Sequence, residues 1–440
     1  MPALPFGSGS AYAPKLFAAL LALTLVGGLA AVSGWQNQPA RFRSGVDVIA
    51  VDVQVVDDDG NPIDSLGPNL FEVSINGKRR KVASAQFVRH AWQAPPRAES
   101  ESPPPSSPVS AAAPIEVVPG GGRTFIMAID NGSFDVGAGR EAVEAVQGFV
   151  DRLQQQDRVG VYVYPTGIWI EPTTLRAPVR VQLERVIGER QPLRSYYNLT
   201  ASEIVDITAQ STNPHSFLTA VRAGNDPATE QLDVVRTIQR RECQSDPNCL
   251  ARIYAEGIQL AVQLENQTQA SLNGLAELLQ RLADMPGRKA VVIVSAGVLV
   301  SDRLDGRPDI GNQARILGQT AARANATVYT LHIDMSTRET GTAKNRGAGS
   351  SEHGRERAMY GVFLDQFSSA AGGERIYVPV GGGGFALDRV LKESSAYYLL
   401  GVEPADADRD GTPRELKVKV NRRGVTVRNR QWVLVPTRDR

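Results

Sequence analysis

Apolar and polar positions divide this chain into segments of distinct period. In RTFIMAIDNGS, Arg123 to Ser133, an unbroken apolar run ends in a carboxylate, Asp130, and then in small polar residues. A strand that is apolar on both faces suits the interior of a parallel sheet covered by helices on each side. The pattern recurs in RKAVVIVSAG, which ends its apolar run at Ser295, and in ATVYTLHID, which ends at Asp334. Stretches of helical period lie between. One of them, from about Val136 to Gln155, places Val143, Val146, Phe149, Val150 and Leu153 on one face. Strands alternating with helices predict a doubly wound, mostly parallel α/β sheet, and such sheets hold ligands outside the carboxyl ends of their strands. Asp130 then stands where a site belongs.

Two flanking segments follow a period of two instead. Residues 41–92 contain DVIAVDVQVVD and a hairpin with Asn76-Gly77 at its tip. Residues 396–436 contain YYLLGVEP, ELKVKV and VTVRNRQWVLV. Each segment has too few strands to hide both faces of a sheet, so the two are expected to form one β sandwich. The α/β domain, 123–395, is then an insertion in it. Residues 93–122 are rich in Pro, Ser and Gly and read as a linker that buries no core. Within the α/β domain, about 191–269 reads as a largely helical insertion. The helix LNGLAELLQRLADMPG follows it and is stopped by Pro286-Gly287.

Residues 1–33 read as a targeting segment. Lys15 precedes an apolar run from Leu16 to about Val32, and Ala31 and Ser33 offer a small-x-small cleavage site. The segment is a cleaved signal peptide or a retained N-terminal anchor. Both readings export the remainder, to the periplasm, the cell envelope or the outside, and the membrane is met only through this segment if it stays uncleaved. Across the chain 48 basic side chains face 47 acidic ones, a balance that argues against nucleic acid as a partner. The only two cysteines, Cys243 and Cys249, cannot complete a structural zinc site. In an exported chain they are expected to form a local disulfide; two free thiols in a helical hairpin are the alternative.

Reaction chemistry finds little footing. Gly137 to Ala142 matches G-x-G-x-x-A, but it lies beyond the strand end and no ribose-binding acid is placed correctly. The glycines at 381–384 lack the Lys-Ser/Thr of a phosphate loop, and neither G-x-S-x-G nor H-E-x-x-H occurs. His332, inside an apolar strand, reads as a hydrogen-bonded core histidine. His215 has no evident Ser or Cys partner. No catalytic residue is expected.

The order of these pieces resembles the von Willebrand factor type A (VWA) fold, and more closely the VWFA-related acidobacterial family of exported bacterial proteins. The resembling segments run from FRSGVDVIAVDVQVVDDDGNPIDSLGPNLFEVSINGK through RTFIMAIDNGS, NLTASE, CQSDPNC and PGRKAVVIVSAG to SSAYYLLGVEPADADRDGTPRELKVKVNRRGVTVR. The resemblance implies a VWA-like domain that binds a protein or cell-envelope ligand, commonly through a divalent cation such as Mg²⁺ or Mn²⁺. Its metal-ion-dependent adhesion site uses D-x-S-x-S, a Thr on a second loop and an Asp after a later strand. Asp130 matches the first position, but Gly132 and Phe134 stand where the serines belong, and Ser133 is one residue out of register. Thr200 and Asp302 are the nearest matches to the remaining positions. The expected site is therefore degenerate, and the expected function is non-enzymatic binding or adhesion at the top of the sheet. The alternatives are a metal-assisted hydrolase centred on Asp130 and a structural envelope component that binds through its β sandwich.

Overall fold

The computed structural model describes residues 47–90, 116–117, 122–209, 230–243, 246, 248–333, 335, 350–379 and 383–437. The targeting segment, most of the 93–122 linker, His215, Asp334 and residues 336–349 lie outside the described residues. Among the described residues no helix is long and apolar enough to cross a membrane.

The chain opens with strands β1 (Ile49–Val56), β2 (Phe71–Ile75), β3 (Lys78–Arg80) and β4 (Val82–Arg89), followed by the short β5 (Glu116–Val117). Strand β6 (Thr124–Asp130) leads to helix α1 (Arg140–Arg152), and β7 (Arg158–Tyr164) and β8 (Ile168–Thr173) lead to α2 (Arg176–Glu184). Three helices follow: α3 (Ala201–Thr208), α4 (Glu230–Glu242) and α5 (Cys249–Ala283). Then come β9 (Lys289–Ser295), α6 (Gln313–Arg323), β10 (Ala326–Ile333), α7 (Ser350–Ala370), β11 (Arg375–Val378) and α8 (Gly383–Glu393). Strands β12 (Ala396–Val402), β13 (Pro413–Val420), β14 (Thr426–Arg428) and β15 (Trp432–Leu434) close the chain.

The structure is mixed α/β. Its largest sheet has six strands in the order β11-β10-β9-β6-β7-β8, parallel throughout except for β8, which runs antiparallel to β7. Strand β6 is an interior strand, and every residue from Phe125 to Asp130 is buried. Helices α1, α2 and α8 pack on one face, where Phe149, Leu183 and Leu387 meet Phe125 and Val161. Helices α5, α6 and α7 pack on the other, where Leu278, Leu317 and Phe363 meet Ile126 and Ile293. Cover on both faces is why the strands carry no polar alternation.

The flanking segments interleave in two further sheets, antiparallel but for the short β4–β5 pair. One has the order β14-β1-β12-β4-β5 and the other β15-β13-β2-β3. Strand β12 pairs with β1 on one side and β4 on the other, and β13 pairs with β2. Val53, Val73, Leu400 and Leu416 share one apolar cluster between the sheets.

One helix runs across the end of the insertion read at about 191–269. Helix α5 runs unbroken for 35 residues, roughly 50 Å, from the cysteine-bearing region into the helix that precedes β9. Nothing in its sequence stops it, because proline is absent and its two glycines are sites of close packing. A Cβ on Gly257 would lie 2.9 Å from Ile207, and one on Gly274 would lie 2.7 Å from the Cβ of Tyr164. Cys243 and Cys249 are bonded across the turn between α4 and α5, with Cα atoms 6.2 Å apart.

Candidate functional site

Counted along the chain, the large sheet starts at β6, grows outward through β7 and β8, and then restarts with β9 on the other side of β6. The order reverses between β6 and β9. Helices that leave neighbouring strands in opposite directions open a crevice at such a point, which is where open α/β sheets bind ligands. Asp130 ends β6 and Ser295 ends β9.

The Asp130 carboxylate is fully buried. It accepts hydrogen bonds from the Ser271 hydroxyl on α5, at 3.1 Å to Oδ1 and 3.2 Å to Oδ2, and from the Ser295 hydroxyl at 2.9 Å. Burial pushes its pKa up to about 7, against the opposing pull of the two serines and of Ser133. Tyr164 pairs with Asp130 across β6 and β7. Its hydroxyl is buried without a hydrogen-bond partner, and burial, reinforced by Asp130, raises its pKa well above the phenol range.

The loop after β9 is fixed over this carboxylate from two sides. Ser133 donates to the Asp130 main-chain oxygen at 2.8 Å and accepts from the Ala296 N–H at 2.9 Å. The Ala296 carbonyl lies 3.2 Å from Nε2 of His332, whose Nδ1 lies 3.2 Å from an Arg375 guanidinium nitrogen. Arginine can only donate, so Nδ1 accepts and Nε2–H donates to Ala296. His332 is 2 % exposed, and both ring nitrogens are engaged in positioning this loop.

Of the residues singled out from sequence, the structure joins Ser133 to Asp130. Thr200 caps α3: its hydroxyl accepts from the Glu203 N–H, and the Thr200 N–H donates to the Glu203 carboxylate at 3.0 Å. Asp302 pairs with Arg355 on α7 at 2.8 Å, and Arg355 also holds Asp206 on α3 at 2.7 Å. Thr200 thus serves the start of α3, and Asp302 shares with Asp206 the Arg355 guanidinium that ties α7 to α3. Sequence reasoning missed Ser271. Its signal was a small polar residue on the apolar stripe of α5, one turn before Gly274, which packs tightly against Tyr164 of β7.

Beside the carboxylate a crevice of about 40 Å³ is lined by Gly132, Arg190, Gln267, Ser271, Gly297 and Tyr360. A D-x-S-x-S cation site does not fit these residues. A Cβ on Gly132 would lie 3.1 Å from the Pro165 ring, so a serine there would press on it, and Phe134 is wholly buried in the core. A hard cation needs several oxygen ligands in near-octahedral array, and among the described residues no group of three or more His, Cys, Asp or Glu stands close enough to hold one.

Comparison with protein-family models found no match to this chain, and comparison with curated proteins found none either.

Proposed function

We propose that this chain is an exported, non-enzymatic binding protein with a VWA-like α/β domain. It recognises a protein or cell-envelope ligand with the loops at the carboxyl edge of the six-stranded sheet. The observation that carries this reading is the pairing of Asp130 with Ser271 and Ser295 at the point where strand order reverses. A carboxylate that is wholly buried and saturated by hydroxyls can order the surrounding loops but cannot reach a substrate. That favours binding over hydrolysis at Asp130. The crevice at the same edge, beside the half-buried Gln267 and Tyr360, offers shape and hydrogen bonds. Recognition by such a surface does not depend on a divalent cation, because the DxSxS positions supply too few oxygens.

The test is retention of the intact protein on a cell-envelope fraction, with and without chelator. Retention should survive the chelator and fall about tenfold in Gln267→Arg, which fills the crevice with a charge. Release by chelator with recovery in Mg²⁺ would replace this reading with a cation-dependent site. An Asp130-dependent hydrolytic activity would replace it with the enzyme.

A further inference from the structure

At the opposite, amino edge of the six-stranded sheet lies a second cavity, of about 210 Å³. Its floor is formed by Phe125, Ala290 and Thr327, which are in register on one face of β6, β9 and β10. Its roof comes from the antiparallel unit, chiefly Tyr397 of β12 and His90. Arg288 lies between. Its guanidinium sits 4.4 Å above the Tyr397 ring, and its side chain is 20 % exposed. The nearest carboxylate oxygen, on Asp52, is 3.7 Å away, beyond hydrogen-bonding range, and Asp52 is approached more closely by Arg430, at 3.3 Å.

A guanidinium with little access to water gains when its N–H groups meet acceptors, and five donors in a planar fork match a carboxylate. Arg288 finds no such acceptor among the described residues. Arg123, the other arginine at this cavity, is already matched by Asp157 at 2.8 Å. Among the described residues that line the cavity none is acidic. Thr327 is 5 % exposed, and its hydroxyl adds a donor on the floor. The rest of the wall combines the rings of Tyr329 and Tyr397 with the polar side chains of Gln54, Thr124 and Ser394, and Gln54 is already engaged by Tyr329 and the Glu393 carbonyl.

We propose that this cavity is a binding site for a small monocarboxylate with an apolar or aromatic body. The carboxylate lies against Arg288 within reach of Thr327, and the body lies on Phe125 and Ala290. The volume agrees, since a cavity of about 150 Å³ holds benzene and about 60 Å³ more accommodates a carboxylate. The site is independent of the surface at the carboxyl edge, and neither reading rests on the other.

Sodium benzoate is the probe, with benzamide and sodium acetate as its neutral and body-less counterparts, each titrated calorimetrically into the intact protein. Benzoate should bind with a dissociation constant on the order of 1 mM or tighter, the range open to a ligand of its size. Benzamide and acetate should bind about tenfold more weakly. Arg288→Gln should weaken benzoate about tenfold, and Ala290→Leu, which fills the floor, should abolish binding, with thermal melting confirming that each variant is folded. Should Arg288→Gln fail to fold, Arg288→Lys serves in its place, because it keeps the charge, loses the planar fork and should also weaken benzoate. Absence of benzoate binding overturns the proposal, as does benzamide binding equally well or benzoate binding unchanged in a folded Arg288 variant.

Discussion

Asp130 shows how one side chain can order a site at the expense of stability. Its folded pKa of about 7 lies above the value of about 4 expected in an unfolded chain. Between those values the folded state holds the proton more tightly, so the stabilising contribution is complete below about pH 4. It is lost as pH rises through about 7. Asp130→Asn keeps the shape and the hydrogen-bonding capacity but has no charge to desolvate. It should therefore be more stable than the parent at pH 8, by a few kcal/mol at the order-of-magnitude level, and nearly equal to it at pH 4. Urea unfolding at the two pH values checks this. An advantage of the same size at both would show that the carboxylate is not the group that titrates. The apolar run had already marked Asp130 as a strand-end carboxylate. Its buried state was not legible, because Ser271 reaches it from 141 positions away in sequence.

At the scale of elements, α5 is the part that the sequence pattern divided and the structure kept whole. Its period of apolar positions persists through Leu260, Leu264, Leu275 and Leu282, while the surface it packs on changes from α3 and α4 to the large sheet. Close approach to that sheet depends on Gly274. Gly274→Ala should drive a methyl group into Tyr164 and cost about 1–3 kcal/mol. It should also disturb the seat of Ser271. Gly148, exposed in α1 with no atom near its would-be Cβ, is the matched control, and Gly148→Ala should stabilise by about 0.5–1 kcal/mol. Opposite signs in thermal melting are the expected result; equal effects would mean that helix propensity, not packing, decides at both positions.

At the scale of the molecule, the antiparallel sheets are tied to the α/β layers by buried polar contacts. Gln54 of β1 donates to the Glu393 carbonyl at 3.1 Å and accepts from Tyr329 of β10 at 2.9 Å. Arg428 of β14 lies between two carboxylates, 2.5 Å from Glu374 and 3.2 Å from Glu393. Burial pushes Glu393 up to about 7, against the pull of Arg428. Arg428→Met would leave both acids facing each other with only Arg389 to balance them. The expected cost is about 3–5 kcal/mol at pH 8, and less at pH 5, where Glu393 takes up a proton. Calorimetric melting at the two pH values measures it. A cost independent of pH would remove Glu393 from the account.

What the sequence determined by itself is local: period, strand ends and the length of apolar runs. Thr124–Asp130 as an apolar strand and the alternation in residues 49–56 follow from which faces a strand must bury, and that is written in consecutive residues. The tertiary structure alone decided what those ends meet. That Ser295 and Ser271 would close on Asp130, and that Thr200 and Asp302 would serve α3 and α7, depends on side chains brought together across long stretches of chain. The same holds for Arg288, which in sequence only precedes the apolar run of RKAVVIVSAG. Only the packing of β12 against the amino edge of the sheet sets its guanidinium over the Tyr397 ring, on a side chain that is 20 % exposed, with the nearest carboxylate 3.7 Å away.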